Sequence, residues 1–141
     1  MYELIPLPLS AGILAQYGGA EGLRGELAAL GCQGVEAIWA GEPIPQEFPR
    51  PLAVGWHLTF FTDWLDLYRE DRAMLEEKYG TLEEARRFYG GLGPDYVLEV
   101  YRADLERARA MGAKYLVFHV SDVSIEEGYT YRWRHTPEEV V

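Results

Sequence analysis

Three ionisable residues stand inside otherwise apolar, strand-like segments: Glu36 in Val35-Glu36-Ala37, His57 in Gly55-Trp56-His57-Leu58 and His119 in Phe118-His119-Val120. A carboxylate or imidazole in such surroundings is costly to bury without a partner, and convergence on one cavity is the simplest way to partner all three. Gathered there, they would contact a bound ligand. Taken singly, each has a plainer reading as a hydrogen-bonded structural residue at a strand end.

A second group is crowded into residues 121–135, which hold Tyr129, Tyr131, Arg132, Trp133, Arg134 and His135. Aromatic faces beside guanidinium groups can stack on a sugar ring and pair with a phosphate or carboxylate. The same residues also fit a tethering loop whose rings pack down while the arginines answer an acidic surface, and both readings stand. The candidate ligand contacts are thus Glu36, His57, His119, Trp133, Arg134 and His135. Phe60-Phe61, Trp64 and Tyr68 could form a cover over a site, but the helical spacing of Trp64 and Tyr68 favours core.

Several chemistries are disfavoured. Gly18-Gly19-Ala20-Glu21-Gly22 lacks the lysine of a phosphate loop and the full dinucleotide pattern, and reads as a flexible turn. Cys32, the single cysteine, has no histidine near it in sequence and no serine sits in a nucleophile elbow, so nucleophilic catalysis finds no support. That lone cysteine reads as a buried thiol in a reducing compartment. Thirteen basic against 23 acidic side chains give a net charge of −10, which would repel a phosphate backbone and argues against nucleic acid. The N-terminus has no basic region and is broken by Pro6 and Pro8, and no apolar run is long enough to span a membrane, so a cytoplasmic protein is expected.

The elements that must carry these residues follow from periodicity and punctuation. Glu3 to Leu9 predicts a first strand, and Leu23, Leu27 and Leu30 at helical spacing predict a helix over 20–30 that Gly31 ends. Gly34 to Trp39 predicts a second strand, after which Pro43, Pro45, Pro49 and Pro51 leave no room for a helix. Leu52 to Leu58 predicts a third strand, followed by one long amphipathic helix capped by Thr62 and running through Leu75. Thr81 and Glu84 predict a capping box for a helix that Gly90-Gly91 terminates. Pro94 opens another, with Val97, Tyr101, Leu105 and Ala108 on one face and its end near Gly112. Lys114 to Val120 reads as a fourth strand buried on both faces.

Alternating strands and crossovers predict an α/β fold with a parallel sheet. Thr136-Pro137-Glu138-Glu139 gathers helix-start signals at the end of the sequence, so a single domain over 1–141 cut inside its fourth helix is expected; a tail that only resembles a cap is the alternative.

The segments Gly34-Val35-Glu36, Trp56-His57-Leu58 and Phe118-His119-Val120-Ser121, with the approach Met111-Gly112-Ala113-Lys114-Tyr115, resemble strand ends two to four of xylose-isomerase-like barrels. That superfamily includes sugar isomerases, epimerases and endonucleases of the endonuclease IV type, and the resemblance runs from about Leu4 to Val141. It implies the N-terminal half of a (β/α)8 TIM barrel, about four parallel strands that one chain does not close. It further implies a full-length metal-dependent isomerase or epimerase of a small sugar or sugar phosphate. The divalent ion (Mn, Mg, Co or Zn) would be held mainly by Glu, Asp and His residues of later strands, so the 141-residue chain should be inactive and carry no metal of its own. The histidines of strands three and four serve as metal ligands in endonuclease-IV-like members and contact substrate elsewhere, a role only His57 and His119 can inherit. Two open sheet edges would favour a homodimer or higher oligomer. A non-catalytic sugar-binding or self-assembling half-barrel is the alternative, and a DNA repair enzyme a third reading that the charge opposes.

Overall fold

The computed structural model describes residues 2–119 and 122–140, the side chain of Ile125 excepted. It is an α/β fold built on an open, four-stranded, all-parallel sheet with interleaved helices. The strands are β1 (Leu4–Leu9), β2 (Gly34–Trp39), β3 (Ala53–His57) and β4 (Tyr115–Val117), and they lie in the order β1-β2-β3-β4. The chain forms two compact units, one of Met1–Thr59 with Ala103–Phe118, the other of Phe60–Arg102 with His119–Val141.

The first unit holds the sheet. Its register places Leu7, Ala37, Trp56 and Leu116 in one row across the four strands, and Pro6, Glu36, Gly55 and Tyr115 in the adjacent row. Successive side chains of a strand point to opposite faces, so the two rows define the two sides of the sheet. On the first side Leu7, Leu9, Val35, Ala37, Val54 and Trp56 are buried. The helices of this unit contribute further buried side chains: Leu14 from α1 (Ala11–Gln16), Leu23 and Leu27 from α2 (Gly19–Ala29), and Ala108 and Met111 from the end of α6 (Gly93–Met111). The second side is more open, with Pro6, Pro8 and Tyr115 exposed and Glu36, Ile38, His57 and Val117 part-buried.

Pro6 and Pro8 lie within β1, not at its end. A proline fits a paired strand only where its missing N–H faces away from the partner, so both leave gaps on the edge of β1 opposite β2. The glycines of Gly18–Gly22 are not a loose turn. Gly18, with φ of 76°, precedes α2, and Gly22 lies inside that helix, where a Cβ would run into the Tyr17 carbonyl. The preceding α1 falls in a stretch for which the sequence pattern predicts no helix; Ser10 caps it, its Oγ accepting from the Ile13 N–H at 3.1 Å.

Exposure departs from the sequence pattern at β4 and at Cys32. The fourth strand is three residues long, and Tyr115 (38% exposed), Leu116 (44%) and the following Phe118 (54%) are open to solvent, because no fifth strand pairs with β4 among the described residues. Val120, which the expected strand includes, lies outside the described residues. Cys32 is only half-buried instead of interior.

The second unit is helical: α3 (Trp64–Arg69), α4 (Arg72–Tyr79), α5 (Leu82–Tyr89), the first part of α6, α7 (Ile125–Thr130) and α8 (Pro137–Val140). Phe61, Leu67 and Val97 form its core, with Trp64, Tyr89, Tyr96 and Tyr101 packed around them. The single helix expected after Thr62 is split. Glu70 adopts φ of 52°, and Asp71 starts α4 by accepting from the Met74 N–H at 3.2 Å. An Asp side chain that offers the backbone a cap competes with helix continuation. Asp63, not Thr62, precedes α3. Thr81 caps α5 as expected, but Glu84 takes the Thr81 hydroxyl at 2.9 Å in place of the backbone N–H. On α6 Val97 and Ala108 are buried, whereas Leu105 is exposed. Where a loop is expected after β4 the chain forms α7, whose Ser124 and Glu127 make a complete capping box. Between the prolines only a single 3-10 turn forms, Arg50–Leu52. Among the described residues, no helix is long and apolar enough to cross a membrane.

Candidate functional site

The open side of the sheet carries the first set of candidates. His57 is the last residue of β3, in the row Pro8-Ile38-His57-Val117, and Glu36 stands two rows below it, on the same face, in mid-strand. The His57 Nδ1 lies 3.0 Å from the Leu58 carbonyl. A carbonyl can only accept, so Nδ1 carries a hydrogen in this contact. Tyr115, an addition to the expected set, reaches across β3 to donate its hydroxyl to Glu36 Oε2 at 3.0 Å. The crossing depends on Gly55, directly between them in the row: a Cβ there would fall in the Tyr115 ring, 2.5 Å from its hydroxyl. Burial, with the hydrogen bond to Glu36 next, pushes the Tyr115 hydroxyl above its ordinary value, so the phenol stays a donor at neutral pH.

The other candidates belong to the second unit. The His119 ring packs against Phe60, with centroids 5.1 Å apart. Trp133 is exposed and meets Tyr131 edge-on at 6.3 Å, and Tyr129 is exposed as well, so these rings do not pack down as a tethering loop would have them. Arg134 lines a cleft of about 560 Å³ with Thr62, Lys78, Tyr79, Phe88 and Ser124. Its guanidinium is 3.8 Å from Glu77, and its backbone N–H donates to Glu127 at 2.7 Å.

His135 is built into the structure. Its Nε2 faces two carboxylates, Asp66 at 2.9 Å and Asp122 at 3.4 Å, whose side chains are only 5% and 4% exposed. Burial pushes both carboxyls up, while His135 pulls them partly back. Beside them lies a second acidic centre. Asp63 accepts from Lys78 at 2.5 Å, Tyr89 at 2.7 Å and Tyr79 at 3.2 Å. Burial alone would raise the Asp63 carboxyl, but the hydrogen bonds from Lys78 and Tyr89 outweigh it and hold it below its ordinary range. Burial, followed by the bonds to Tyr79 and Asp63, drives the Tyr89 hydroxyl far up, so it too remains a donor.

Sequence reasoning misses Asp63, Asp66, Lys78 and Asp122. Asp63 and Asp66, three residues apart on an amphipathic stretch, are a legible hint. Their pairing with Lys78, Asp122 and His135, the last 69 residues away from Asp66, is not.

Among the described residues no three His, Cys, Asp or Glu side chains are grouped to hold an ion. A scan against family models and searches of curated proteins and of solved structures found no match to this chain.

Proposed function

We propose that this chain supplies four consecutive βα units of a (β/α)8 barrel that isomerises or epimerises a small sugar or sugar phosphate, and that Glu36 and His57 stand in its pocket. The observation that carries the reading is the unreversed strand order β1-β2-β3-β4 with one face buried and the other open. A doubly wound sheet reverses its order and takes helices on both faces. A barrel adds each unit on the same side and keeps the inner face free of helices, with function at the carboxyl ends of the strands. His57 stands at such an end, and the Tyr115 bond fixes the Glu36 carboxylate beneath it. His119 and Arg134 stand in the other unit, and the reading rests on neither; the site is cytoplasmic. A divalent ion would need ligands beyond those on these strands. The chain alone should therefore bind without turning over; substantial metal-dependent interconversion of pentoses or hexoses by the chain alone would contradict the half-barrel.

The two open edges favour a second reading beside it, a self-associating sugar-binding module. The edges are unequal: β1 lacks two donors at Pro6 and Pro8, whereas β4 offers Tyr115–Val117 with Leu116 exposed. Association should run through β4. Light scattering after size exclusion is expected to give a dimer or larger species, reduced to monomer by Leu116→Lys. A wild-type chain that stays monomeric at high concentration would rule this out.

A further inference from the structure

In the second unit part of the cleft lining, Ser124, Glu126 and Arg134, comes from the segment that follows β4, and the rest, including Thr62, Lys78, Tyr79 and Phe88, from α4, α5 and the residues just before α3. The first part is fastened at its C-terminal end mainly by polar contacts. His135 binds Asp66 of α3 and Asp122, the Arg134 N–H binds Glu127, and Asp122 Oδ1 accepts from the Leu65 N–H at 3.1 Å. Tyr131, at the head of the strap, holds a left-handed conformation with φ of 55°, which a tyrosine adopts only under constraint.

The geometry points to a proton-controlled strap: residues 131–136 dock on α3 through the Asp66–His135–Asp122 cluster with uptake of a proton, and release the cleft wall as pH rises. With a neutral imidazole and both carboxylates ionised, one Nε2–H would serve two buried anions, and the cluster would hold two negative charges. A further proton removes one of them, and burial makes that removal favourable.

Neighbouring charges add to the pressure. Asp63 and Asp71 oppose ionisation of Asp66, and Asp63 opposes that of Asp122. Near the strap, Glu139 pairs with Arg69, and Arg134 with Glu77.

Asp66 and Asp122 lie above their ordinary value, so their contribution to docking is present at low pH and lost as pH rises through the raised values. Glu127 and Glu139 lie below theirs and act oppositely, contributing above the ordinary carboxylate range and losing that contribution in acid. The strap is therefore held best between these limits and opens on the alkaline side.

Hydrogen exchange of peptides covering residues 122–136, corrected for intrinsic rates and followed from about pH 4 to about pH 9, tests this. Protection in the wild type is expected to fall on the alkaline limb by up to about tenfold per pH unit, the slope for one proton. Asp122→Asn keeps the acceptor for Leu65 but removes a charge, and should flatten that limb while holding the strap closed. His135→Gln should lower protection throughout. Wild-type protection that stays level on the alkaline side, or an Asp122→Asn chain that loses it as the wild type does, would overturn the inference. The first outcome needs no variant to fold.

Discussion

Asp104→Ala is expected to destabilise the sheet-bearing unit by about 3–5 kcal/mol, the range for removing one partner of a buried ion pair. The side chain is fully buried in α6, and each oxygen has a separate task. Oδ2 accepts from the Thr59 N–H at 2.6 Å, just beyond the end of β3, and Oδ1 accepts from Arg107 at 3.0 Å. The Arg107 guanidinium lies 3.7 Å over the Trp39 ring, at the end of β2. Alanine would orphan the Thr59 N–H, leave the arginine without its counter-charge and open a small cavity. Asp104→Asn retains an acceptor for Thr59 and should lose less. Urea unfolding midpoints measure the difference, and equal midpoints for the alanine variant and the wild type would strip Asp104 of this role.

Trp56→Ala is expected to cost a similar amount, about 3–5 kcal/mol, through lost burial and the cavity left behind. Trp56 is fully buried near the carboxyl end of β3, in the row with Ala37 and Leu116. Its indole N–H finds no hydrogen-bond partner among the described residues. Leaving such a group unpaired costs about 1–3 kcal/mol. Trp56→Phe gives up some volume but also removes that unpaired donor, so its net cost should be well below that of alanine. Denaturant curves that place the phenylalanine and alanine variants at the same midpoint would contradict this reading of the core.

The strands β2 and β3 were legible because glycine and proline punctuate their apolar runs, and β1 was legible as an apolar run although Pro6 and Pro8 fall within it. The helix ends were legible where a left-handed residue was needed: Gly31, Gly90 and Gly112 all have positive φ. The split at Glu70-Asp71 was hidden because both residues suit a helix surface, and only tertiary packing decides that Asp71 caps instead of continuing. The Ser124/Glu127 box is written in the sequence as Ser-x-x-Glu but is masked by the aromatic and basic residues that follow it. For β4 the apolar run spells a strand, while its exposure depends on a neighbour that no run of residues announces.

Of the site, Glu36 and His57 were legible as polar residues in apolar strands, and the register puts them on one face. Tyr115 looks only like part of an apolar run, since its bond to Glu36 spans 79 residues and needs Gly55 between them. Of the loop residues, Arg134 takes a place in a cleft wall and His135 becomes a buried tether, a division that depends on carboxylates far away in sequence.

If a sugar binds on the open side of the sheet, a nuclear magnetic resonance titration will register it at the residues that stand there. The labelled chain would be titrated with pentoses, hexoses and their phosphates, with and without Mg²⁺, reading the His57 ring and the Glu36 and Tyr115 side chains. Saturable shifts at these three residues are expected for at least one sugar, abolished by Glu36→Gln and His57→Ala. Shifts confined to other residues, or none for any sugar at millimolar concentration, would contradict sugar binding at this face.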